Sequence, residues 1–171
     1  MNFIIQTLEN NQAPYKFVFA HQLVGGDLQG RGGTEFASLY EWGGNNLDGS
    51  YGFDQHRLVW GTPIHQILVD NNITAFFHGH DHFFGKQELD GVTYQEVPQP
   101  ATFSSPKDRP GAEYGYTSGV LLGSPGHLRI TVSPESARVD YIRSKLPGDN
   151  KSGEQNGAVV YSYSLTPEVT T

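Results

Sequence analysis

Cysteine is absent from this chain of 171 residues. That excludes disulfides and thiolate metal ligands and leaves the redox compartment open. Positive charge is scarce: 11 Lys and Arg stand against 18 Asp and Glu, a formal net charge of −7. Binding to a phosphate backbone needs a Lys/Arg footprint, so this balance argues against a nucleic-acid partner. Long apolar runs are missing too. None approaches the roughly 18 residues of a membrane helix, and no basic start precedes an apolar core, so no signal peptide is expected within these residues. The hydrophobic share is only 36%, which implies many loops or a face that expects a partner. Gly (21) and Pro (10) stay below the level of a disordered low-complexity chain. No internal repeat or second domain is visible, and the length suffices for one domain with its own core.

The stretch Phe77–Phe84, FHGHDHFF, stands out against this background. It follows an apolar run, Ile73–Phe77, that reads as a buried strand. Gly79 gives the chain room to turn where the strand stops. In extended backbone, residues two apart point to one side, so His80 and His82 are expected to converge on one metal centre, neutral imidazole being a common ligand. The alternative for each is an ordinary hydrogen-bonded histidine at a strand end. His78 lies on the same alternation and reads as a residue packing behind the site. Upstream, Lys16–Ala20 is a second short apolar run, followed at once by His21 and then by Gly25-Gly26. Functional groups in α/β sheets collect beyond the carboxyl ends of strands. Two neighbouring strands ending in His would face one crevice.

Phe19-Ala20-His21 with its Gly-rich turn, and Gly79-His80-Asp81-His82, resemble the last two metal motifs of the calcineurin-like metallophosphoesterases. The resemblance covers most of the chain. It implies an α/β fold, the β-rich C-terminal half of a four-layer α/β/β/α sandwich, in a single partial domain over residues 1–171. It implies hydrolysis of phosphate mono- or diesters with a water activated by two divalent ions, Mn, Fe or Zn. His21 and His80 would bind one ion and His82 the other. Gln22 stands where the family often has a second His. The family's earlier motifs, Asp-x-His, Gly-Asp-x-x-Asp and Gly-Asn-His with an acid, are absent: Gly26-Asp27 lacks its second Asp, and Gly44-Asn45 is followed by Asn46. No catalytic residue is therefore assigned. Asp27 and Asp81 are candidate oxygen ligands, with solvated loop acids or caps as the alternative.

The remaining pattern is β-rich with a few helices. Asn2 to Asn10 reads as a short helix with Ile4 and Leu8 on one face. Gly25 to Tyr51 is a long Gly- and Asn-rich stretch in which Thr34–Tyr40 reads as a helical segment. Leaving the His21 strand, it is the expected place for substrate contacts, with Arg31, Glu41, Trp42 and Arg57 as candidates; Arg can engage a phosphate bidentately, and a surface ion pair is its alternative. Gly32-Gly33 can offer N–H groups to an anion. Thr62-Pro63 opens the clearest helix, Thr as cap and Pro at the first turn, with Ile64, Ile67 and Leu68 as its stripe. His65 on it reads as a half-buried helix residue. Asp90-Gly91 marks a hairpin between Phe84–Leu89 and Val92–Val97. Strands are expected at Ser118–Leu122, Leu128–Val132, Arg138–Ile142 and from Val159. His127 carries no site reading. Two functions are compatible with this pattern: part of a phosphoesterase completed by an N-terminal half or an oligomer, or a catalytically silent β-rich binding or assembly module with a partial His site.

Overall fold

A computed structural model of the chain describes residues 2–23, 30–102, 110–149 and 155–168. The chain runs α1 (Asn2–Glu9), β1 (Phe17–Phe19), α2 (Tyr40–Gly43), α3 (Phe53–His56), α4 (Ile64–Asp70), β2 (Ala75–His78), β3 (Phe84–Leu89), β4 (Val92–Glu96), β5 (Val120–Leu122), β6 (Gly126–Val132), β7 (Ala137–Arg143) and β8 (Val159–Leu165). Tight 3-10 turns occur at Thr34–Phe36 and Pro110–Tyr114. The fold is mixed α/β with two sheets and a few short helices. One sheet has the order β1-β2-β4-β3-β5, the other β6-β7-β8. β1, β2 and β4 are parallel, so their carboxyl ends lie on one side; β3 pairs antiparallel with β4 and β5. None of the helices among the described residues is long and apolar enough to cross a membrane.

Strand alternation explains the layering. In β2, Phe76 points to the helices and packs with Leu8, Trp42, Ile67, Leu68 and Tyr94. Its neighbours Ala75 and Phe77 point the other way, onto Ala137, Val139 and Leu165 of the second sheet. One short run of apolar residues thus serves two cores, which is why it reads as continuous rather than alternating. Phe84 stacks on Tyr141 at 4.8 Å between the sheets, and the Tyr163 hydroxyl donates to Gln95 Oε1 at 2.8 Å. The outer face of the second sheet is polar: Arg129 and Arg138 both bond Asp140. The Ser162 hydroxyl, then Arg138 and Arg129, hold its carboxyl far below the usual range.

The Asp90-Gly91 hairpin is present, with φ of 49° and 82° at its two central residues, the pair of left-handed values a tight two-residue turn needs. Two expectations change. The Thr34–Tyr40 segment is not one helix: its 3-10 turn stops at Phe36, Leu39 bridges Asn45, and α2 begins at Tyr40 with a φ of 49°. Pro63 is the N-cap of α4 with extended ψ, rather than its first helical residue. The loop residues Gly25, Gly26, Asp27, Lys107, Asp108 and Arg109 lie outside the described residues.

Candidate metal-binding turn

β1 and β2 pair in register Phe17–Ala75 to Phe19–Phe77, so the residues beyond the two strand ends emerge side by side. The pairing continues past the strands: Ala20 N–H donates to Phe77 O at 3.0 Å and Gly79 N–H to His21 O at 2.8 Å. His21 and His80 consequently meet. His21 Nε2 lies 3.3 Å from His80 Nδ1, with the rings at 73°. Two nitrogens this close either share one proton or direct two lone pairs at one cation. On a tetrahedral ion with metal–nitrogen bonds of about 2.0–2.1 Å, two ligand nitrogens stand roughly 3.3–3.4 Å apart. The separation equals that of two ligands on one ion, and the contact as it stands is a hydrogen bond between the rings.

His80 and His82 do not converge in the way an extended strand would make them. β2 ends at His78, and the backbone then adopts φ of 90° at His80 and 64° at His82. Left-handed backbone costs a non-glycine residue roughly 1–2 kcal/mol, and such strain concentrates at functional sites. The ring of His82 is exposed and joins neither His21 nor His80 among the described residues. No group of three or more His, Asp or Glu comes together in metal-holding geometry among the described residues.

Buried carboxyls hold this turn on two sides. Asp81 is not a solvated loop acid. It accepts the Tyr116 hydroxyl at 2.9 Å and Gly32 N–H at 3.0 Å on Oδ2, and Arg31 Nη1 at 3.0 Å on Oδ1. Those bonds occupy both oxygens and give Asp81 an anchoring role rather than that of an oxygen ligand. Burial, Glu96 and Asp81 together push the Tyr116 hydroxyl far up, so it stays a donor. Glu96 is opposite His78 in the sheet register. Its Oε1 accepts the N–H groups of Asp81 at 2.9 Å and His82 at 3.1 Å, and its Oε2 lies 2.9 Å from His78 Nδ1. Burial lowers His78 to about 4, against a smaller opposing pull from Asp81. Burial, then the Asp81 charge, raises Glu96 to about 9. Oε1 is the oxygen that accepts, whereas Oε2, though close to the His78 ring, makes no hydrogen bond among the described residues.

The expected substrate contacts separate. Arg31 stays at the turn, bonded to Asp81 and to the His80 carbonyl at 3.3 Å and lying 4.4 Å over the Tyr114 ring. Trp42 is a core residue, 2% exposed. Its Nε1–H donates to Tyr94 and its ring packs edge-on to Phe76, so it has no face left for a substrate. Arg57 pairs with Glu41 in a different cavity of about 270 Å³, lined also by Tyr40, Asn45, Asn46 and His56. His65 joins Tyr94 to Asp90 at 2.7 and 2.9 Å, as a half-buried helix residue should. Glu96 is the residue that sequence reasoning passed over. The signal for it was a carboxylate at the end of an otherwise apolar strand face, Val92-Tyr94-Glu96, where an unpaired charge is costly.

No family model matches the chain, and no curated protein matches it. Among solved structures it is similar to GAP50, described as the anchor in the inner membrane complex of Plasmodium, with a TM-score of 0.58 and 13% identity. The match covers 98% of this chain and 42% of that one, so the chain spans less than half of that neighbour's length. At this identity the likeness bears on the fold alone.

Proposed function

We propose that this chain is the C-terminal part of a calcineurin-like, metal-dependent phosphoesterase acting on phosphate mono- or diesters. The observation that carries the reading is the meeting of His21 and His80 at 3.3 Å, beyond the carboxyl ends of two adjacent parallel strands. The layers of helices, sheet and second sheet support the sandwich architecture, of which the four-layer form is part of the proposal. A divalent ion there would polarise a phosphoryl oxygen and lower the pKa of a bound water. His21 and His80 would hold that ion, and His82, on the same turn, would serve a second one. Asp81 and Glu96 keep the turn in place, and Arg31 beside it carries positive charge next to the site. The bridging carboxylate and the Asn and His of the earlier motifs would come from outside these residues.

The test is metal content per chain after Mn²⁺ or Zn²⁺ supplementation, with turnover of p-nitrophenyl phosphate and its diester. About one ion per chain, lost in His80→Ala, with little or no turnover, is the expected result. Two tightly held ions would mean a complete site and an active enzyme. No ion at all, under conditions where the protein is folded, would remove the metal reading.

A second reading, a silent binding or assembly module, is favoured by one observation: no third donor gathers with His21 and His80 among the described residues. The similar GAP50 is itself described as an anchor. Metal-dependent turnover abolished by His80→Ala would eliminate this alternative.

A further inference from the structure

We infer that Glu96 is the positioning residue of the histidine turn, fixing the backbone of residues 80–82 so that the His80 ring is held beside His21, where the two can meet one divalent cation. The inference rests on the metal reading above.

The turn has left the sheet, so strand pairing cannot shape it. Side chains bind its polar backbone groups instead. The N–H groups of Asp81 and His82 both go to Glu96 Oε1. The His82 carbonyl accepts the Ser124 hydroxyl at 2.5 Å, and the His80 carbonyl accepts Arg31. Of these partners Glu96 is the one wholly buried, at 0% exposure, on a strand whose same-face neighbours Val92 and Tyr94 belong to the apolar core. A carboxyl at such a position is disfavoured unless its bonds are met. Three of its contacts, to the N–H of Asp81, the N–H of His82 and the ring of His78, lie within the five residues 78–82. Two donors converging on one oxygen also demand that consecutive N–H groups point the same way. The left-handed φ at His80 and His82 accompanies that arrangement. Remove the acceptor, and the turn is free to leave these values; the imidazoles then lose their preset orientation, and a metal must order the loop as it binds. Outer groups that orient metal ligands typically contribute 10–100-fold in affinity.

The experiment is Zn²⁺ titration calorimetry on the full chain, comparing wild type, His80→Ala, Glu96→Gln and Glu96→Ala, with circular dichroism and melting curves alongside. Glu96→Gln keeps a carbonyl acceptor for both N–H groups and should bind within about threefold of wild type. Glu96→Ala should bind roughly 10–100-fold more weakly while keeping its sheet signal, and the amide protons of Asp81 and His82 should lose protection from exchange. A group that merely supports the fold would change the melting temperature and leave the affinity of the folded protein alone. Equal affinity in wild type and Glu96→Ala therefore overturns the inference by itself. If Glu96→Ala does not fold, Glu96→Asp, whose shorter side chain pulls the acceptor away from the Asp81 and His82 N–H groups, should weaken binding severalfold, and unchanged affinity there overturns it. Wild-type protein that takes up no Zn²⁺ overturns the metal reading and this inference with it.

Discussion

At the scale of residues, His78 and Glu96 respond to pH in opposite senses. His78 is lowered from 6.5 to about 4 in the folded chain, so below 6.5 the unfolded state binds the extra proton and stability falls with acidification. Glu96 is raised from 4.5 to about 9; its contribution is full below 4.5 and is lost as pH rises towards 9. Between 4.5 and 6.5 the two slopes offset each other, and above 6.5 only the Glu96 loss remains. Metal-free protein should therefore melt at steadily lower temperature from pH 6.5 to 9, and Glu96→Gln should flatten that decline. Identical profiles for the two proteins would show that Glu96 is ionised in the fold. Tyr116→Phe deletes a buried donor to Asp81 and should cost about 1–2 kcal/mol in urea denaturation; no change would mean that Arg31 and Gly32 suffice. The histidines were legible in sequence because their spacing and the preceding strand are local. Glu96 was not, because its meaning comes from register: only pairing β2 with β4 sets it opposite His78. Trp42 misled for the converse reason, since a loop rich in Gly and Asn gave no sign that one of its short helices turns an indole inward.

Elements repeat this division. The Asp90-Gly91 turn, α1, α4 and the strands of both sheets could be read from periodicity and turn chemistry to within a few residues. The connection from Gly30 to Phe36 could not, because tertiary bonds shape it. Gln87 Oε1 accepts the Thr34 N–H at 3.0 Å, and Glu35 accepts from Gln87 and from the N–H groups of Thr117 and Ser118. Burial alone would raise Glu35, yet these bonds bring it below the ordinary carboxylate value. Gly33 lets the loop lie this close: a Cβ there would stand 2.0 Å from Gln87 Oε1 and 2.4 Å from the Tyr116 ring. Gly33→Ala should loosen the loop, lowering stability by about 1–3 kcal/mol as overpacking does and raising protease cleavage between residues 30 and 36. An unaltered digest would show that the loop docks without that close approach.

For the whole molecule, the telling feature is the open side of the first sheet. β1 is its edge strand, and Phe19 on it is 69% exposed although it stacks on Phe77 at 5.0 Å. The second sheet has three strands to the first sheet's five and leaves Phe19 uncovered. An edge with no further strand beside it among the described residues, carrying an exposed aromatic ring, invites association. Sedimentation velocity should show concentration-dependent oligomers, and Phe19→Lys should return the protein to monomer without loss of sheet content. A wild-type chain that sediments as a monomer at all concentrations, with a cooperative melt, would count against a fold that expects completion.

The histidine turn draws its fastenings from far along the chain. Asp81 reaches 49 residues back to Gly32 and 35 forward to Tyr116, and His82 reaches 42 forward to Ser124. Contacts of such separation form late, after the intervening chain has been gathered in. The β1–β2 pairing spans as far, the Lys16 N–H bonding Thr74 58 residues on, so sheet and turn are gathered in together. Held by side chains rather than by ladder bonds, the turn can then open locally while the sheet stays shut: the amide protons of Asp81 and His82 should exchange faster than those of Ala75–His78, and equal rates would show that the two open as one unit.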